Sequence, residues 1–488
     1  MGFTGACEVY DMASTTRRLE ALDILRGITI FAMILSAHVP AALPQWMHHD
    51  QFYDVNGVLQ VIIGLTWVDL VFPFFLFSMG AAIPFALTRR MESGQPWYQT
   101  TGHVLWRGLV ILMFSYYLGN AGAWGYGYPP SENAWIWYRT LAGFGCLVLF
   151  LGRLPWISEK PKWIGTAVKG VGLAGLVALM ATLKRADGSG FTISKYDIII
   201  LVLAIDYVTA SLLWMVSRKN LMLRLALIAG LFAIRFHHLA GGPILETVTN
   251  WLKPLEWGFF PRAFFHSIVV LTGTIIGDLL LNWTRTPESS ETKSGLGLSK
   301  LDLGAFLTLL PALTVGGLCF LQSRYVLSGL LFTVAICQYL VCRLKYNDTH
   351  IGKILYQLSV WFTFFLIIGY LSEPMEGGIK KDGAPPSYYF VSMGMAVSML
   401  SFFLILVDGL KTRFGTRFLN AVGSNPMLGY IAGAHLVYPI FHLCGLMKFS
   451  ETYTMNSVPM GTVWAVFLTL SACLATYGLT RLKVFLRV

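Results

Sequence analysis

The chain has 488 residues, 55% hydrophobic and 12% charged, where a soluble domain carries about 25% charge. With a mean hydropathy of +0.62, this composition excludes an ordinary soluble enzyme. The net charge of +11 sits in short loops between apolar runs, which is an orientation signal for membrane helices and not a nucleic-acid surface.

Residues Met1 to Thr16 lack the basic-then-apolar layout of a cleaved signal, so the first hydrophobic helix is expected to remain as an anchor. Apolar runs of spanning length start near Ile24, Asp69, Gly102, Ala134, Trp163, Asp197, Leu221, Arg262, Leu303, Tyr325, Ile354, Tyr388, Ser424 and Met460. These are about fourteen candidates, with eleven to fourteen as the range, because a span needs about 20 residues. The Leu221 run is short, and the Leu303 and Tyr325 runs could form one hairpin. The expected fold is all-α: a polytopic helical membrane bundle forming a single domain over 1–488. Residues 1–20 form a cytoplasmic N-terminal segment and 284–300 a cytoplasmic linker.

The basic residues support this layout. With the N-terminus inside, the inner loops receive Arg17 and Arg18, Arg89 and Arg90, Arg153 with Lys160 and Lys162, Arg218 with Lys219, and the clusters around Lys293, Arg343, Arg413 and Arg481. The loops at His48 and over 119–133 carry neither Lys nor Arg. His48, His49 and the Glu373–Asp382 loop therefore fall on the external side. Three external loops (119–133, 237–262 and 372–387) are long and rich in Gly, Pro and aromatics. With the 42–66 stretch they can roof one chamber, and long loops in a compact membrane domain are more often functional than idle.

Seven cysteines show neither a CxxC pair nor metal-ligand spacing, and read as small apolar fillers. The stretch Trp46 to Gly80 carries the densest chemistry: a wet loop with His48 and His49, then Asp69 at the entrance of an apolar run interrupted by Pro73. Histidine titrates near neutral pH, so either imidazole could be a base. Adjacent side chains point apart, so at most one serves. Asp69 either stabilises the helix dipole or orients the histidine. Pro73 is expected within the first turn or so, where its missing N–H costs little. In the first helix, Asp23 and Arg26 are three apart and can pair. This is a structural ion pair or, alternatively, a guanidinium seat for phosphate. Gly27 lets another backbone approach. Arg107, Asp206, Arg235 and Asp278 lie inside apolar runs, with Arg107 expected to meet Asp206 or Asp278. In GSNPMLGY (423–430), Ser424 or Asn425 reads as a helix cap.

RLEALDILRGITIFAMIL, then a loop histidine, then GLTWVDLVFPFFLFSMG resembles the transmembrane acetyltransferase family of heparan-alpha-glucosaminide N-acetyltransferase, most of all its bacterial, Bacteroidetes-type branch. EGGIKKD (376–382), GTIIGD (273–278) and SNPMLGY (424–430) are similar to the same branch. The resemblance implies cytoplasmic acetyl-CoA as co-substrate, no metal, and acetylation of a terminal glucosamine amine on the far side of the membrane. It implies a bacterial inner membrane location with the histidine loop periplasmic, and often a homodimer. The family's functional histidine matches His49, with His48 and His38 as further candidates and Asp69 as orienting acid. At the inner face Arg26, paired with Asp23, and Arg89 or Arg90 are expected to hold the coenzyme phosphates, and Trp67, Lys380 and Lys381 are expected at the sugar. The chain departs from the family in two places. The gap from His49 to Gly64 is longer than in the animal enzymes, and Ala37–His38 stands where the family carries an asparagine. The rival classes are an amino-sugar transporter, an O-acyltransferase of envelope polysaccharide and a non-catalytic scaffold. Transporters carry paired repeats with matched broken helices, which are not seen here.

Overall fold

The computed structural model describes residues 19–53, 59–122, 134–158, 160–252, 263–286, 295–448, 450 and 457–486. Helices dominate them because long apolar runs can satisfy their backbone in lipid only by internal bonding. The long helices are α1 (Glu20–Ser36), α2 (Trp67–Glu92), α3 (Trp97–Ala121), α4 (Ala134–Leu151), α5 (Lys162–Ala181), α6 (Ile198–Ser217), α7 (Leu221–Leu239), α8 (Ser267–Arg285), α9 (Lys300–Gln322), α10 (Val326–Leu344), α11 (His350–Ser372) and α12 (Pro386–Leu404). Then come the short α13 (Thr416–Gly423), α14 (Pro426–Ile431) and α15 (Tyr438–Leu443), and the long α16 (Val458–Arg481). Among the described residues, eleven helices are long and apolar enough to cross a membrane. The chain is an all-α polytopic membrane bundle.

Each predicted run has a helix in its place. The Leu221 run is a full 19-residue helix, and the Leu303 and Tyr325 runs are two separate helices, α9 and α10. The Ser424 run differs. It breaks into α14, a π-helical turn over Ala432–Val437, and α15. Asn425 occupies the N-cap position of α14, as one of the two expected candidates, but its side chain makes no capping bond. Its side chain instead donates to the Val484 carbonyl at 2.7 Å and accepts from the Leu486 N–H at 3.1 Å, tying the C-terminal segment to the start of α14.

Small residues set the closest helix contacts. A Cβ on Gly27 would lie 2.0 Å from the Leu419 carbonyl, and one on Gly423 would lie 1.7 Å from that of Asp23, so α1 and α13 touch backbone to backbone. The same holds for α2 and α8: a Cβ on Gly80 would meet the Val270 carbonyl at 2.0 Å, and one on Gly277 the Ala81 carbonyl at 2.4 Å. Such small-residue seams are how helices associate without a hydrophobic drive between them. Among the described spanning helices, α2, α8 and α12 are the most deeply buried.

The stretch between His49 and Gly64 holds a small antiparallel pair, Gln51–Tyr53 with Leu59–Val61. Asp50 closes it, accepting from the Ile62 N–H at 2.8 Å. Helix α2 begins at Trp67, so Pro73 is its seventh residue, deeper than the first turn expected for it. A proline there leaves the carbonyl four residues back, that of Asp69, without its helical donor. The buried Tyr388 hydroxyl donates to that oxygen at 2.9 Å.

Candidate active site

The site starts with the entrance of α2. Thr66 is its N-cap, and Asp69 at the third helical position returns a bond to the Thr66 N–H, forming a capping box. Asp69 is wholly buried. Its Oδ2 accepts from the Thr66 N–H at 3.1 Å, is 3.1 Å from the Thr66 hydroxyl and accepts from the Asp50 N–H at 3.3 Å. Donors of this kind make a buried carboxylate tolerable. They also leave Oδ1 free to face outward.

Oδ1 lies 2.9 Å from Nδ1 of His49, whose side chain is 43% exposed. A second group reaches the same nitrogen: Lys381 Nζ stands 3.1 Å from it. One ring nitrogen makes one such bond at a time. As an N–H it donates to Asp69, leaving Nε2 as the basic nitrogen. As a lone pair it accepts from Lys381, with the ring proton on Nε2.

Lys381 is delivered by the loop between α11 and α12, which is tied down along its length. Glu373 accepts from Arg324 and, at 3.1 Å, from the Ile379 N–H. The Gly64 N–H donates to the Ile379 carbonyl at 2.8 Å, and Glu376 accepts from the Ser387 N–H at 3.0 Å. Arg235 Nε donates to the Ala384 carbonyl at 3.2 Å. Burial pulls the Lys381 amine below its usual range, opposed by the charges of Asp69 and Asp382. Asp50, beside His49, has no hydrogen-bond partner for either carboxyl oxygen among the described residues. Burial, and then the charge of Asp69, push its carboxyl up to about 7.

His49 and Lys381 open onto a cavity of about 760 Å³. One face of α2 lines it, through Val68, Val71, Phe72, Phe75, Met79, Ala82, Ile83 and Ala86. From Val68 to Ala86 is eighteen residues, roughly 27 Å of helix at 1.5 Å per residue, close to the hydrocarbon thickness of a bilayer. Arg26, Thr29, Met33 and Ser36 of α1 form a second stripe. Arg26 is held by Asp23 at 3.0 Å and by the Ser78 carbonyl at 2.8 Å. A third wall comes from α3 and α6, where Arg107 lies over the Tyr207 ring at 4.8 Å.

The residues singled out from the sequence separate clearly. His49, Arg26 and Lys381 line the cavity, with Asp69 behind the first and Asp23 behind the second. His48 does not line it, and only its backbone carbonyl joins the site, accepting from the Thr66 hydroxyl at 2.7 Å. His38 is not brought to His49. Its Nδ1 meets the Ile34 carbonyl at 2.7 Å, its ring packs on Tyr438, and burial lowers its pKa. Arg89 and Arg90 lie one turn past Ala86, outside the cavity, because α2 carries them beyond its last lining residue. Trp67 and Lys380 are half-buried and also outside it. By sequence, the outer aromatics Trp124, Tyr126, Tyr128, Trp135 and Trp257 are either stacking surfaces for a sugar or a membrane-interface belt; Trp135 is described and does not line the cavity, and the other four lie outside the described residues.

Sequence reasoning missed other lining residues. Arg107 was expected to pair with Asp206 or Asp278, but Asp206 accepts from Ser267 at 2.7 Å and Asp278 from Arg224 at 2.6 Å. Arg107 Nε is buried with no hydrogen-bond partner among the described residues, and the side chain lines the cavity. His266, Tyr388, Tyr389 and Tyr430 also line it. Their one sequence signal was a polar atom inside an apolar run.

Fold and site together define a polytopic helical membrane protein with an imidazole, a carboxylate and an amine at one end of a cavity that follows a central helix. The chain belongs to the family described as Domain of unknown function (DUF5009), which it matches over residues 18–280. It is distantly similar to heparan-alpha-glucosaminide N-acetyltransferase of Homo sapiens, 28% identical over 117 residues, which are 22% of this chain and 16% of that protein. Its likeness to the Mus musculus protein of the same name is 26% over 99 residues, 20% of this chain and 13% of that protein. The matched stretch thus spans about a sixth of the human relative.

Proposed function

We propose that the protein is a transmembrane acetyltransferase. It moves acetyl from acetyl-CoA on the cytoplasmic side of a bacterial inner membrane to the amine of a terminal glucosamine-type sugar on the periplasmic side. The observation that carries this reading is one cavity reaching along α2 from Arg26 to His49. Its residues fit an acyl-coenzyme A. Arg26 and Arg107 are cations for phosphate, the α2 stripe suits the thin arm, and His49 stands where the thioester would arrive. The names of the two relatives point to the same chemistry.

In this reading Asp69 fixes the ring with its proton on Nδ1, and Nε2 takes a proton from the acceptor amine as that amine attacks the thioester carbon; the C–S bond then breaks and Nε2 returns the proton to the departing sulfur. Charge on the imidazolium is then balanced by the carboxylate 2.9 Å away. General-base assistance of this kind contributes about 10²–10⁴-fold. A variant of the same chemistry has Nε2 itself carry the acetyl group before the sugar receives it. Purified His49→Ala protein tests the assignment. It is expected to bind acetyl-CoA with unchanged affinity while transfer to glucosamine falls by about 10²-fold or more. Normal turnover in that variant would remove His49 from the chemistry.

A further inference from the structure

His49 presents two nitrogens, and the protein has already placed a primary amine against one of them. Lys381 Nζ lies 3.1 Å from Nδ1, within the reach expected of a nucleophile and its base. The amine lines the same cavity as the imidazole, on a loop pinned through Ile379 and Ala384. In functional group it is identical to the acceptor proposed above, except that it is tethered, and tethering raises effective concentration greatly.

We propose that Lys381 is an internal acyl acceptor: with an acyl thioester in the cavity and no external amine, His49 drives transfer to Lys381 Nζ, and the resulting amide shuts the site. This rests on the acyl-transfer reading. The Nζ lone pair attacks the thioester carbonyl carbon, a C–N bond forms and the C–S bond breaks. The proton leaving Nζ goes to Nδ1, where it faces Asp69 Oδ1 at 2.9 Å. The Nε2 proton goes to the departing sulfur, so the products are an N-acyl lysine, a free thiol and a neutral ring. The external acceptor uses Nε2 and the internal one uses Nδ1, so the two compete for one imidazole. Acylation removes the lysine's charge and fills the space against the ring. Protonation protects the amine, and burial, which lowers its pKa, weakens that protection.

Peptide mass spectrometry of the full chain in nanodiscs, incubated with acetyl-CoA alone, tests this. Acetyl should appear on Lys381 at roughly tenfold or more the level on neighbouring Lys380, which lies outside the cavity and reports solvent chemistry. The signal should rise with pH, fall when glucosamine is added, and vanish in His49→Ala. Preincubation with acetyl-CoA should progressively inactivate the wild type in step with the acetyl found on Lys381. Lys381 left unmodified in protein that acetylates added glucosamine would overturn the inference and leave the parent reading standing, as would equal labelling of Lys380 and Lys381. Acetyl on neither lysine nor sugar would overturn both.

Discussion

Asp69 shows what a single residue can and cannot disclose. From sequence it had two competing roles, helix cap and histidine orienter. In the structure its two oxygens divide them, Oδ2 serving the cap and Oδ1 facing His49. That pairing was legible because both residues flank one helix entrance. Lys381 is 332 residues from His49 in sequence, and nothing local marks it as the group that meets the ring. Asp50 went unnoticed beside its two histidine neighbours. Its carboxyl is pushed up to about 7 from an ordinary 3.8, so the folded protein holds a proton there that the unfolded chain has released. Such a group contributes stability in full below its unfolded pKa and loses it as pH rises through its folded one. The melting temperature should therefore fall between about pH 4 and about pH 7, and Asp50→Asn should flatten that fall. Parallel pH profiles for wild type and variant in detergent would show that Asp50 does not titrate across this range.

Helix α2 is the element on which the site depends. It supplies Asp69, the stripe along the cavity and the glycine seam with α8. Pro73 was recognised in the sequence but set a turn too shallow, because the helix start was taken from hydropathy and not from the cap at Thr66. The consequence is structural, since the freed Asp69 carbonyl recruits Tyr388 from α12. The seam is testable by volume. Gly80→Ala puts a methyl 2.0 Å from a backbone oxygen, whereas Gly145→Ala on α4 meets nothing within 4 Å. The first should cost about 1–3 kcal/mol, as overpacking does, and the second should be neutral or stabilising by up to about 1 kcal/mol. Thermal unfolding of both variants in the same detergent checks this, and equal melting temperatures would refute the close approach of α2 and α8.

For the whole molecule, hydropathy located every run because length and apolarity are set by the bilayer. It could not locate the cavity, since residues that line an internal channel and residues that face lipid have the same apolar character. Arg107 makes the point. Its buried charge was noted, but the open volume beside it is a property of three helices together. The α2 stripe covers roughly 27 Å, so donor and acceptor need not share a compartment. Sided vesicles measure this directly. Labelled acetyl-CoA is confined to the face of the Arg89–Arg90 end of α2, and glucosamine to the face of the His49 loop. The account predicts labelled N-acetyl sugar on the His49 side alone, and no sugar uptake without acetyl-CoA. Product formed only when both substrates are on one side, or sugar carried inward without acetyl-CoA, would contradict it.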